Sequence, residues 1–236
     1  MAEIEIRRAA DRAVTSTDWL HSAHSFAFGS HYDPANLSFG PLLAHNVDEL
    51  QPGDGYPRHR HAGIEIVTWV LSGVLEHVDV TGNRQLPAGW LQVLSAGSGI
   101  EHTERSGSML APVRVAQMWL ASAEPAARPA YAAAELPPAP GLVLAASGRR
   151  PAPVSIRQPA AELFIGRLAP GFDCSLPDAP LLHVFPVTGT VELAVSGSVG
   201  YRLAAEDAAR VTDAAGLRVA VLEPAELLVW TLSVPA

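Results

Sequence analysis

Two short stretches of the chain hold the residues from which chemistry can be built. In Tyr56-Pro57-Arg58-His59-Arg60-His61 two histidines alternate with an arginine. Side chains on an extended segment repeat every second residue, so His59 and His61 share one face and Arg60 takes the other. In Gly97-Ser98-Gly99-Ile100-Glu101-His102-Thr103-Glu104 the same alternation joins an imidazole, His102, to a carboxylate, Glu104. If the two stretches face one another, they gather His59, His61, His102 and Glu104 into a set of neutral imidazoles and one anion. Such a set suits an open site for one divalent transition metal, with Fe(II) first and Mn(II), Ni(II) or Cu(II) as alternatives, rather than a closed structural zinc site. An octahedral ion so held keeps positions for a substrate or dioxygen. Glu65, close after His61, competes with Glu104 for the role of general base. The other histidines, His21, His24, His31, His45, His77 and His183, stand outside any pair and read as ordinary core or surface groups. Parity sets His77 opposite Val74, Val78 and Val80, and so on an exposed face.

The elements that must carry these residues are strands. Gly 19 and Pro 20 punctuate short runs of Val, Leu and Ile, the pattern of an all-β chain. The clearest strand runs from Ile64 to Leu71, pauses at Ser72-Gly73, resumes from Val74 to Val80 and reverses at Thr81-Gly82-Asn83. Later runs alternate through Val191, Leu193 and Val195, then fill Leu217 to Leu222 and Leu227 to Leu232. Long helical periodicity is absent, and its nearest approach is the Ala-rich piece from Leu203 to Arg210. An Ala/Pro-rich stretch suggests a division into residues 1–122, which carry the metal, a connector over 123–140 with one irregular strand near Tyr131, and a second half over 141–236.

An internal repeat supports two halves. Leu50-Gln51-Pro52-Gly53, leading to Ser72-Gly73-Val74-Leu75-Glu76, is paralleled by Leu168-Ala169-Pro170-Gly171, leading to Thr188-Gly189-Thr190-Val191-Glu192. In the second copy the positions of the paired histidines fall among Ser175, Pro177 and Ala179, so that half is expected to lack ligands.

Composition removes several classes of function. The basic residues number 16, all arginine, against 24 acidic ones, and the net charge of -8 argues against direct nucleic-acid or anionic-membrane binding. Met1 to Arg12 lacks the apolar core of a signal peptide, and no run has the apolar length of a membrane span. A lone Cys174 makes no internal disulfide. The expectation is a soluble, cytoplasmic monomer.

The string Gly53-x5-His59-x-His61-x3-Glu65-x7-Gly73 resembles the first cupin motif, and Gly89-x5-Ser95-Ala96-Gly97-x4-His102 resembles the second. Ser95 stands for the usual proline there, and two extra residues precede the histidine. With Trp19-Leu20, His24-Ser25-Phe26-Ala27-Phe28, Tyr32-Asp33-Pro34, Leu75-Glu76-His77 and Gly82-Asn83, the stretch from Arg7 to about Leu120 resembles the pirin family. The likeness is strongest to bacterial members described as quercetin 2,3-dioxygenases. It implies a bicupin: two antiparallel, jelly-roll-like β-barrel domains packed face to face, with one metal in the first. It also implies His59, His61, His102 and Glu104 as ligands, with Glu65 nearby. Arg60 replaces a proline usual in the family, adding positive charge that favours an anionic phenolate or carboxylate. The implied reaction joins a flavonol such as quercetin to dioxygen, with Phe26 and Phe28, and Trp69 or Trp90, as apolar walls. The alternative is a non-enzymatic metal-binding regulator that modulates a partner protein.

Overall fold

The computed structural model describes residues 2–195 and 200–234. Its strands form three sheets. A seven-stranded sheet runs Ala130–Glu135, Trp90–Ser95, Ile64–Ser72, Val113–Ala121, Leu42–Leu50, Leu20–His24 and Ala13–Ser16. A four-stranded sheet runs Gly55–His61, Ile100–Ser106, Val74–Asp79 and Gly82–Pro87. A nine-stranded sheet makes most of the second half, built on the long strands Ala179–Val195 and Leu217–Leu232. Pairing is antiparallel except where Val143–Ser147 meets Val154–Ser155. The chain is therefore all-β, with two jelly-roll-like halves. The sheets lie over one another as open sandwiches, so the expected closed barrels are corrected on that point.

Ile64–Ser72 is buried along nearly its whole length, because it lies between two neighbours inside its sheet. Its Val67 and Trp69 join one continuous apolar cluster with Phe185, Leu228 and Trp230 of the second half. That shared core holds the halves together, and burial of such side chains is the main favourable term available to a chain this rich in sheet. The second half has its own core around Leu182, Leu193, Leu217 and Val219. No helix among the described residues is long and apolar enough to cross a membrane.

The repeat is visible in the backbone. Gly53 and Gly171 both have positive φ, +73° and +82°, as do Gly73 and Gly189, +76° and +75°. A Cβ on Gly73 would strike the carbonyl of Pro112, and one on Gly189 would strike that of Pro224. Both turns thus need glycine for the same two reasons, conformation and close approach.

One local expectation changes, and two further features emerge. The strand near Tyr131 is regular: Ala130–Glu135 pairs along its length with Trp90–Ser95 and extends the seven-stranded sheet. The Ala-rich piece is no helix, because Tyr201–Leu203 ends and Ala208–Ala214 begins within it, the second strand burying Ala209 and Val211 in the core. The first strand, Glu3–Arg7, pairs with Ala208–Ala214 rather than with the half it precedes, since Ile4 and Ile6 pack on the second core.

Candidate metal centre

The four-stranded sheet assembles the centre. Ile100–Ser106 lies between Gly55–His61 and Val74–Asp79, so each of its inward side chains has a neighbour on either side. His102 is paired with His59 and Asp79, and Glu104 with Tyr56 and His77. Ile100 is paired with His61. A register shift between His102 and Glu104 puts Glu104 opposite Tyr56 on one side, while the regular ladder on the other side keeps it opposite His77.

Ring centroids of His59 and His102 are 4.4 Å apart, those of His59 and His61 4.7 Å, and those of His61 and His102 5.2 Å. Two triads bring their ligand atoms within 4.8 Å of one another: His59, His61 and His102, and, deeper, His77, His102 and Glu104. His102 belongs to both. The His59 Nδ1 lies 2.7 Å from the Pro57 carbonyl. A carbonyl only accepts, so Nδ1 carries the hydrogen and Nε2 keeps its lone pair. Both ring nitrogens of buried His102, and Nδ1 of His77, have no partner within the protein. Buried polar atoms are seldom left so, and lone pairs converging from three rings are what a divalent ion completes. The donor set fits such an ion.

Electrostatics prepare the same state. Burial, and then the charge of His59, push His61 down to about 4. Burial also lowers His102 to about 4, against the pull of Glu104. Both rings are therefore neutral donors at pH 7. Burial alone would raise Glu104, but the approach of His77 and, in the acid range where this carboxyl titrates, the charge of protonated His102 outweigh it and hold it at about 2. Its oxygens accept from Gln92 Nε2 at 2.6 Å and Gln117 Nε2 at 2.8 Å. Asp79 is also held down, to about 2: burial opposes this, and bonds from Thr81, His77 and Arg84 prevail.

His77 corrects the parity argument. It is fully buried, because the inner face of Val74–Asp79 is Leu75, His77 and Asp79 rather than the valines. Its Nε2 donates to Asp79 Oδ2 at 3.2 Å, which turns Nδ1 toward Glu104 Oε1, 3.7 Å away. Tyr131 packs on the ring at 5.0 Å, and its hydroxyl donates to Gln92. The alternation in Leu75-Glu76-His77-Val78-Asp79 is the signal that could have found this pair.

Other expected site residues separate. Glu65 is buried but joins neither triad; its carboxylate accepts from Ser95, from Ser122 Oγ at 2.7 Å and from the Arg157 backbone N–H at 3.1 Å. The last of these bonds ties the halves together. Phe28 stands edge-on to Trp119 at 5.0 Å, and Trp119 stands edge-on to His61 at 5.0 Å, so an apolar wall reaches the outer triad. Phe26 lies instead in the shared core, under the Arg210 guanidinium. Trp69 is core as well, its indole N–H donating to Glu226. Arg60 is exposed, donates to the Ser98 carbonyl at 2.8 Å and lies across Gly99. Its neighbour Arg58 is neutralised by Glu101 at 2.6 Å.

Comparison with known proteins agrees with this geometry. The Pirin family profile matches residues 7–120. A Mycobacterium tuberculosis protein named "putative quercetin 2,3-dioxygenase" is 43% identical over 237 residues, covering 98% of this chain and 96% of its own. Quercetin 2,3-dioxygenase of Escherichia coli is 39% identical over 129 residues, 54% of this chain and 56% of that protein. The crystal structure of the E. coli bacterial pirin YhhW in complex with nickel(II) superposes with a TM-score of 0.90 at 28% identity, covering 98% of this chain and 99% of that one. The imidazole cluster, the paired sandwiches and relatives alike along nearly the whole length lead to one conclusion: the chain belongs to the pirin family.

Proposed function

We propose that this protein is a metal-dependent dioxygenase that acts on a flavonol such as quercetin, with His59, His61, His102 and Glu104 as ligands of one divalent ion. The observation that carries the reading is the convergence of His59, His61 and His102, whose ligand atoms lie within 4.8 Å of one another, with both ring nitrogens of His102 unpartnered in the protein. The names of the curated relatives support the reaction class, and the nickel in the E. coli neighbour supports a divalent ion. Fe(II) is the ion proposed, since neutral imidazoles and a carboxylate suit it; the same donors accept Mn(II), Ni(II) and Cu(II). When bound, the ion supplies Lewis acidity toward a substrate hydroxyl and open coordination positions.

The chain's own groups do the rest. His59 and His61 are half-buried and face the opening, whereas His102 and Glu104 close the floor. The Phe28–Trp119 wall offers a flat apolar surface to an aromatic substrate. Glu104 is the group proposed to receive the hydroxyl proton. Its low pKa makes that acceptance brief, so the carboxylate serves mainly as a fixed anion. Arg60, with no carboxylate partner among the described residues, adds attraction for a phenolate at the rim.

The test is dioxygen consumption with quercetin by metal-loaded protein, before and after chelation and in His102→Ala. Turnover that disappears in both cases is the expected result. A rate indifferent to chelator, or no rate with any flavonol by loaded protein, overturns the proposal and favours the metal-binding regulator.

A further inference from the structure

Away from the metal centre, a cavity of about 360 Å³ lies where the first strand and the turn after it meet residues 24–36 and the start of Ala208–Ala214. Both halves of the chain supply its walls, and its size suits a small ligand. Arg7, Arg8 and Arg12 line it. Arg12, its side chain 5% exposed, pairs with Glu206, which also takes Arg114. Arg8 pairs with Asp207 at 2.7 Å, and Arg7 with Glu5 at 2.8 Å. Directly behind the wall, buried Arg210 lies 4.1 Å over the Phe26 ring and donates to the Ser25 carbonyl at 2.9 Å. It forms no ion pair among the described residues.

Four guanidinium groups thus share three carboxylates, and the fifth, Arg210, has none among the described residues. Asp48, the next buried carboxylate, is engaged by the hydroxyls of Ser22 and Tyr56. Asp11 and Asp33 line the cavity but are exposed, and Asp33 Oδ1 already accepts from the Ala35 N–H. Arg12 and Arg210 are the buried members of the group, and a buried cation without an anion of its own is costly. The same walls hold buried polar atoms with no partner in the protein: Arg7 Nε, Arg12 Nε and Ser25 Oγ, with Arg210 Nε behind them. Tyr32, 74% exposed at the rim, offers an unpacked aromatic face.

We propose that this cavity binds a small organic carboxylate, its anionic end held by Arg7 and Arg12 and its body covered by Tyr32 at the rim. A planar carboxylate matches the guanidinium fork, and the aromatic rim favours an apolar body over a bare inorganic ion. Because the arginines belong to the segment paired with the second half, and Tyr32 to the first, the occupant would bridge the two. The site is independent of the dioxygenase reading.

The experiment is calorimetric titration of the metal-free protein with benzoate, and separately with acetate, phosphate and chloride at matched ionic strength. Saturable binding is expected, tightest for benzoate. Loss of one charge-assisted contact in Arg7→Met should weaken benzoate about tenfold or more. Tyr32→Ala should weaken benzoate more than acetate, and His59→Ala should change neither. Absence of saturable heat with either carboxylate overturns the proposal, as does preference for phosphate or equal binding of chloride. Unchanged affinity in a folded Arg7→Met protein, or loss of binding in His59→Ala, also overturns it. Arg7 is partly exposed, and circular dichroism confirms that each variant is folded.

Discussion

The two halves use one framework for opposite contents. In the first, His77 and Asp79 are paired across the ladder with Glu104 and His102. Counting from the equivalent glycines Gly73 and Gly189, the same ladder in the second half pairs Leu193 with Val219 and Val195 with Leu217. Likewise Tyr56, beside Glu104, corresponds to Cys174, beside Val219, so His59 and His61 fall on Pro177 and Ala179. Polar groups that call for an ion in one half are replaced by aliphatic groups that complete a core in the other. The lesson is that the framework tolerates either filling, and a handful of inward positions decides between them.

The sharpest way to break that comparison is to put one polar group where the second half has none. Val219→Glu buries a carboxylate with no partner and should lower stability by about 3–5 kcal/mol, read from urea unfolding. The converse exchange, His77→Leu with His102→Leu and Glu104→Val, should abolish metal uptake in elemental analysis. It should also lower metal-free stability by about 1–3 kcal/mol, since Gln92, Gln117 and Asp79 lose their buried partners.

At the seam, His45 of the first half and His183 of the second lie 5.2 Å apart, both buried with unpartnered nitrogens. Burial holds His183 at about 3 and drives His45 well down, with Arg12 and Arg210 adding to both shifts. Because the unfolded chain takes up protons near the ordinary histidine value while these rings do not, their contribution to stability is complete above about pH 6.5. It falls below that point by about 1.4 kcal/mol per pH unit for each ring. Urea titrations at pH 7 and pH 5 measure the slope, which His183→Phe should reduce. The smallest effect is at the rim. Arg60→Met should leave metal content unchanged and raise KM for a phenolate substrate by about 2–5-fold at low salt, with the gap narrowing as salt is added.

The pairing of His59 with His61 was legible because a period of two on an extended segment needs no tertiary knowledge. His102 could be joined to them through the second motif. What stayed hidden depended on which face of a strand turns inward. Val74, Val78 and Val80 look like a core face, yet Val80 is 79% exposed and His77 is buried, because the polar centre is itself the inside of this sheet. Glu65 has the motif's spacing, but serines on adjoining segments claim its carboxylate. Phe26 and Phe28 are neighbours of equal chemistry, and only the packing separates a core ring from a wall of the site. The glycine repeat was readable as turns, whereas the continuity of Ala179–Val195 and Leu217–Leu232 through those turns was not, since it depends on bulges.

Pairing of Glu3–Arg7 with Ala208–Ala214 has a consequence during synthesis. The ribosome releases the earliest strand while its mate is still untranslated, and at ordinary elongation rates the delay is about 10–40 s. Through that interval Ile4 and Ile6 are exposed beside an unfinished neighbour, so a nascent chain stalled before residue 208 should attract chaperones that the completed protein does not.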